Sequence, residues 1–146
     1  MNGEARSARH KAKEAQLIGI VIVAHGRLAQ EFLNAVEHVV GPQPGVRAIS
    51  IGADDDRTTR QLEICQAADE VDQGGGVVVV TDMFGGSPSN LSLRACRPSN
   101  RKILTGMNLP MLIKLTKSRE LSVDDAISRA KDAGRRYINS FDGSPE

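Results

Sequence analysis

The sequence predicts an α/β domain: an open, mostly parallel four-stranded sheet of order 2-1-3-4, covered by helices on both faces, with room for an additional C-terminal edge strand. Two continuous β-branched runs, Ile20-Val21-Ile22-Val23-Ala24 and Val77-Val78-Val79-Val80, have the uniform apolarity of strands buried on both sides. Apolar residues at helical spacing follow each run, and Gly- and Pro-rich breakers separate successive units. Strand and helix alternating in this way fold as parallel strands joined by right-handed crossovers.

The elements can be taken in order. Residues 1–16 have no apolar period and read as a basic, mobile tail, which leaves 17–142 as the folded domain. A strand fits Leu17 to Ala24. After His25-Gly26, the residues Leu28, Phe32, Ala35, Val36, Val39 and Val40 fall on one helical stripe that ends at Gly41-Pro42-Gln43-Pro44-Gly45. Val46 to Ile51 reads as the second strand. The run Asp54-Asp55-Asp56 can cap a helix carrying Leu62, Cys65 and Ala68, which Gln73-Gly74-Gly75-Gly76 stops. Val77 to Thr81 is the third strand, and Ser87-Pro88 reads as N-cap and first position of a helix continued by Leu91 and Ala95. Lys102 to Thr105 fits a fourth strand. Gly106-Met107-Asn108-Leu109-Pro110 turns into a helix through Met111, Leu112 and Leu115, and Ser122 opens a last helix with Ala126, Ile127, Ala130 and Tyr137 inward.

Composition narrows the function. At 146 residues there is one core and no second catalytic domain. Aromatics make up 3% of the chain, too few for a base-stacking platform. Net charge is +1, of which the tail holds +2, so the body (fifteen cationic against sixteen anionic residues) lacks the dense cationic face that nucleic acid requires. No apolar run approaches the roughly 18 residues of a membrane span, so no membrane insertion is expected and a cytoplasmic location is. Cys65 and Cys96 match neither zinc-ligand nor dithiol spacing and read as buried thiols.

The chemistry-bearing residues gather where strands end, the usual ligand edge of such a sheet. His25 ends the first strand beside the open backbone of Gly26; the bland reading is a histidine that merely starts a helix. Asp82 ends the third strand, which is adjacent in a 2-1-3-4 order. A carboxylate accepting the proton of one ring nitrogen fixes the tautomer and leaves the other nitrogen nucleophilic. The alternative is that Asp82 caps its own loop. Gly85-Gly86-Ser87-Pro88 leads exposed N–H groups into a helix start, which favours an anion, and Ser87 can add its hydroxyl or serve only as a cap. Gly85-Gly86 matches neither a Walker loop nor a dinucleotide fingerprint. His38 and His10 read as solvated. These residues fit phosphoryl transfer to His25, and equally a small-molecule lyase or hydrolase.

With Ile20-Val21-Ile22-Val23-Ala24-His25-Gly26, Thr81-Asp82-Met83-Phe84-Gly85-Gly86-Ser87-Pro88-Ser89-Asn90 and Gly106-Met107-Asn108-Leu109-Pro110-Met111-Leu112, the chain resembles the enzyme IIA domain of the mannose-family phosphoenolpyruvate-dependent sugar phosphotransferase system. The similarity spans roughly residues 17–140. It implies a phosphocarrier, loaded by the phosphorylated histidine-containing carrier protein and unloaded to a IIB component or another acceptor protein. His25 would be phosphorylated, Asp82 would orient it, and Gly85, Gly86 and Ser87 would hold phosphoryl oxygens, with no metal and no cofactor. The resemblance also implies a homodimer, with the segment around Tyr137 to Phe141 open to exchange between subunits. Arg27 and the basic tail depart from the family's pattern, and the sequence carries no IIB domain. The same family includes chains that phosphorylate dihydroxyacetone kinase and chains that act in regulation, so a protein whose His25 phosphorylation state switches partner binding is the alternative.

Overall fold

A computed structural model describes residues 17–144. Its strands β1 (Gly19–His25), β2 (Val46–Ile51), β3 (Val77–Thr81) and β4 (Arg101–Thr105) form one sheet in the order β2-β1-β3-β4, every pair parallel. The helices are α1 (Leu28–Val40), α2 (Arg57–Val71), α3 (Ser87–Ser92), α4 (Leu109–Thr116) and α5 (Val123–Arg136), with a 3₁₀ turn at Arg94–Cys96. Architecture and strand order are as the sequence predicts. Among the described residues no fifth strand forms, and the exposed chain beyond Tyr137 is irregular. The tail assigned to residues 1–16, with His10, lies outside the described residues.

The β-branched runs are explained by two cores. Successive residues of a strand face opposite sides. Ile20, Ile22 and Ala24 of β1, with Val78 and Val80 of β3, pack with Val36 of α1, Leu112 and Leu115 of α4 and Ala126 and Ala130 of α5. Val21, Val23, Val77 and Val79 pack with Ile64, Ala67, Ala68 and Val71 of α2 and Leu91 of α3. Only at their C-terminal ends do β1 and β3 carry polar residues, His25 and Thr81.

Local chemistry sets the helix starts. Asp56 caps α2 by accepting from the Thr59 N–H at 3.0 Å, Asn108 caps α4 through the Met111 N–H at 3.0 Å, and Ser122 caps α5 through the Asp125 N–H at 3.2 Å. At the opposite end of the sheet from His25, Arg101 is held by Asp72 (3.0 Å), Asp69 (2.9 Å) and the Ala95 carbonyl (3.3 Å), tying β4 to α2. Burial raises the Asp72 pKa, but its bonds from the Gly74 N–H and Arg101 outweigh this and hold it below the usual carboxylate range. Arg119 is buried without a carboxylate partner among the described residues. Its Nε donates to the Ile18 carbonyl at 2.7 Å, and its own carbonyl accepts from the Ile18 N–H at 2.9 Å.

Several sequence expectations need correction. Ser87 does not cap α3: the N-cap is Gly86, and no side-chain cap bond is made. That helix ends at Ser92, which puts Ala95 in the 3₁₀ turn, although both Leu91 and Ala95 are buried as expected. Leu62 is 48% exposed, because the inward face of α2 is the Ile64, Ala67, Ala68 and Val71 stripe. Tyr137 is 67% exposed at the C-cap of α5, where Ala133 and Gly134 take the inward positions. Leu28 and Val39 flank the buried stripe of α1 and are exposed. Cys65 and Cys96 are half-buried rather than fully buried, and both are free.

Thr81 carries a local conflict. Its hydroxyl is fully buried and has no hydrogen-bond partner among the described residues. An unsatisfied buried polar atom costs about 1–3 kcal/mol, whereas a methyl in the same place costs nothing of the kind. Thr81→Val is therefore expected to stabilise the fold by about 1 kcal/mol, a rise of about 3 °C in melting temperature. A lower melting temperature would mean that an ordered water satisfies the hydroxyl.

Candidate functional site

Strand order brings the site together. With β1 paired to β3 through Val23 and Thr81, the next residues of β3 come alongside His25. Asp82 Oδ2 accepts from His25 Nδ1 at 2.7 Å and from the His25 main-chain N–H at 3.0 Å, while Oδ1 accepts from the Met83 N–H at 3.0 Å. Asp82 thus both orients the imidazole and caps its own loop. Its side chain is 13% exposed against 50% for His25. Burial raises the Asp82 pKa, but the bonds from the His25 N–H and ring exceed that effect, so it stays below the usual carboxylate range and is ionised at neutral pH. An ionised carboxylate only accepts. In a neutral ring the proton is therefore placed on Nδ1, which leaves the lone pair on Nε2.

Gly86 lies against the other edge of the ring. A Cβ on Gly86 would stand 3.0 Å from His25 Cε1, 3.5 Å from Nε2 and 3.4 Å from Met83 Cγ, so the loop passes this close because the residue is glycine. Gly85 has φ +83°, which turns the chain into α3. The Ser87 hydroxyl, free of any cap bond, has no partner among the described residues. On the β2 side, a cavity of about 200 Å³ lined by Gly52, Asp55, Arg57, Arg60 and Ser87 adjoins the loop. Arg60 is bound to Asp55 at 2.9 Å, and Arg57, which also lines this cavity, has no ion pair among the described residues. A larger apolar groove of about 350 Å³, lined by Pro110, Ile113 and Tyr137 among others, lies on the α4 and α5 layer and includes no residue of the histidine site.

Residues 19–131 match the family model described as PTS system fructose IIA component, EIIA-man. The chain belongs to this family. Among individual relatives, a mannose-specific EIIAB component of Escherichia coli (strain K12) is 28% identical over 131 residues, covering 88% of this chain and 41% of its own length. A sorbose-specific EIIA component of Lacticaseibacillus casei is 27% identical, covering 84% of this chain and 89% of the relative. A crystal structure of an EIIA component from Streptococcus agalactiae superposes with a TM-score of 0.77 at 27% identity, covering 85% of this chain and 97% of that one. This IIA chain therefore spans less than half the length of the two-part EIIAB relative.

Within the IIA fold, the structure brings His25, Asp82 and Gly86 together, while Gly85 and Ser87 flank Gly86 in the chain and Ser87 faces the cavity on the β2 side. Arg27 does not join them: its side chain is 90% exposed and lies 3.9 Å from Glu31, one turn along α1. His38 is exposed. The Cys96 thiol is pushed by burial up to about 11, which leaves it protonated at neutral pH. Sequence reasoning missed Met83 and Phe84, 56% and 83% exposed in the loop that bears Asp82. The available signal was an aromatic residue in a polar strand-to-helix turn, off any apolar stripe. No helix among the described residues is long and apolar enough to cross a membrane.

Proposed function

We propose that this chain is a phosphocarrier, taking a phosphoryl group on His25 from the phosphorylated histidine-containing carrier protein and passing it to a IIB component or another acceptor protein. The observation that carries the reading is an oriented imidazole on an open surface, held by Asp82 at 2.7 Å and still half exposed. A small-molecule enzyme encloses its substrate, whereas protein-to-protein transfer needs a histidine that a second imidazole can reach.

In the transfer step the Nε2 lone pair of His25 attacks phosphorus in line with the donor's phosphorus–nitrogen bond. That bond breaks, and its electron pair leaves with the donor imidazole, which takes up a proton. The Gly85 to Ser87 backbone and the Ser87 hydroxyl donate to the equatorial oxygens, and Asp82 stabilises the positive charge that grows on the ring as Nε2 bonds to phosphorus. Neither metal nor cofactor has a role in these steps. Onward transfer runs the same steps in reverse. A homodimer completes the proposal: among the described residues the outer edge of β4 has no strand beside it, and Ile138 and Phe141, 74% and 87% exposed, lie in the irregular segment that would pair there.

The test is intact-mass analysis after incubation with phosphoenolpyruvate, enzyme I and the carrier protein. One acid-labile phosphoryl adduct, mapped to His25 by fragmentation, is expected. No adduct, together with turnover of a small molecule by the purified chain, would replace this reading with that of a metabolic enzyme.

A further inference from the structure

Phosphoryl transfer uses His25, Asp82 and the loop at Gly86, yet two buried hydroxyls close by have no part in it. Thr81 is the last residue of β3, and its fully buried Oγ1 has no hydrogen-bond partner among the described residues. Alternation along the strand puts this side chain on the face of Val77 and Val79, the one that α3 covers through Leu91. Val23 of β1 lies beside Thr81, and His25, two residues further on, falls on the same face. On the helix side of this contact, Ser89 in the first turn of α3 is 4% exposed, and its hydroxyl likewise makes no hydrogen bond among the described residues. Ser92, the other buried serine of α3, is satisfied locally by the Pro88 carbonyl at 2.6 Å. A buried hydroxyl left unpaired destabilises a fold, and an apolar residue in its place would avoid the loss.

We infer that Thr81 and Ser89 are positioning residues for the loaded state: their hydroxyls bond to each other when the first turn of α3 closes on the phosphoryl group carried by His25. The inference rests on the phosphocarrier reading. No side chain caps α3, and the helix follows Gly85, at φ +83°, and Gly86, which lies against the ring, so its first turn joins β3 through two residues without side chains. Phosphoryl oxygens that accept from the Gly86 and Ser87 N–H groups draw this turn toward His25, and Ser89 moves with it. The bond then formed satisfies two groups that the empty chain leaves unpaired. Its free energy is realised only after loading, so it adds to the affinity of His25 for the phosphoryl group and not to the stability of the empty fold. Neither hydroxyl touches the ring or phosphorus; both act through the placement of Gly86 and Ser87.

The experiment reads the transfer equilibrium of the full chain by intact mass, as the ratio of loaded to empty protein against phosphorylated and free carrier protein. Thr81→Val and Ser89→Ala are each expected to lower this constant about fivefold, and the double variant by the same factor, because one bond is lost in all three. Thr81→Ser, which keeps the hydroxyl, is expected to stay within about twofold of wild type. In urea the empty Thr81→Val chain is expected to be no less stable than wild type, which separates the effect from a general loosening of the fold. An unchanged constant in either single variant, losses that multiply in the double, or a Thr81→Ser variant as weak as Thr81→Val would overturn the assignment. A less stable empty Thr81→Val chain would overturn it too, by showing that the hydroxyl is already bonded before loading. Wild type that takes up no phosphoryl group would overturn the phosphocarrier reading itself, and this bond with it.

Discussion

His25→Ala is expected to fold normally and take up no phosphoryl group, and Asp82→Asn to take it up about 10²-fold more slowly or worse. The first variant removes the nucleophile from a half-exposed position, so little packing is lost and the melting temperature should move by no more than a few degrees. The second keeps the shape of the side chain and changes its bonding. Asp82 Oδ2 accepts two bonds from His25, one from the ring and one from the main chain. An asparagine turned to accept the main-chain N–H with its oxygen can still present its NH₂ group to the ring. A donor facing Nδ1 moves the ring proton to Nε2 and blocks the lone pair that must attack. The charge that stabilises the ring as phosphorus bonds to it is lost as well. Rapid-quench rates with a saturating donor measure the effect; wild-type rates in Asp82→Asn would remove Asp82 from the mechanism, and persistent labelling of His25→Ala would remove His25.

Gly76→Ala should destabilise the fold on the order of 3 kcal/mol and lower the melting temperature by about 8 °C, without touching the site's chemistry. Gly76 has φ +93°, and a Cβ there would stand 2.4 Å from the Asn100 carbonyl oxygen and 2.6 Å from Val123 Cγ2. Its own carbonyl accepts from the Gly19 N–H at 3.0 Å, and that of Asn100 accepts from the Val77 N–H at 3.1 Å. Relief of the clash therefore disturbs β1, β3 and β4 where their ladders begin. Gly41→Ala separates strain from clash: φ is +86°, but nothing lies within 4 Å of its Cβ position, and a loss of about 1 kcal/mol is expected. Equal losses in the two variants, measured by denaturant titration, would show that the β3–β4 backbone yields to the methyl group.

The sheet was legible because a strand buried on both faces favours apolar residues at nearly every position, so the valines of β3 could be read without knowing their partners. Helix faces were less legible, since which side of α2 turns inward depends on the opposing sheet. Leu62 is apolar but sits off the stripe that the packed geometry selects. The site divides along the same line. His25 and Asp82 follow from strand ends brought adjacent by the order β2-β1-β3-β4. Ser87 followed by Pro88 has the local pattern of a cap, yet the cap falls one residue earlier, at Gly86, and the Ser87 hydroxyl makes no cap bond. For Phe84 the sequence offers only an aromatic residue in a polar turn, because its exposure is a property of what fails to pack on it.

The bond from the His25 main-chain N–H to Asp82 bears on how the strand opens. β3 ends at Thr81, yet the carboxylate of the next residue accepts the amide that a further strand carbonyl would have taken. On the other edge, the Gly26 N–H still reaches the Ile51 carbonyl at 2.9 Å. The last rung of the central strand is thus made by the side chain that orients the imidazole. Fraying at this end would break the ring's alignment and the ladder in one event, so the backbone of His25 opens with the core and not as a loose terminus.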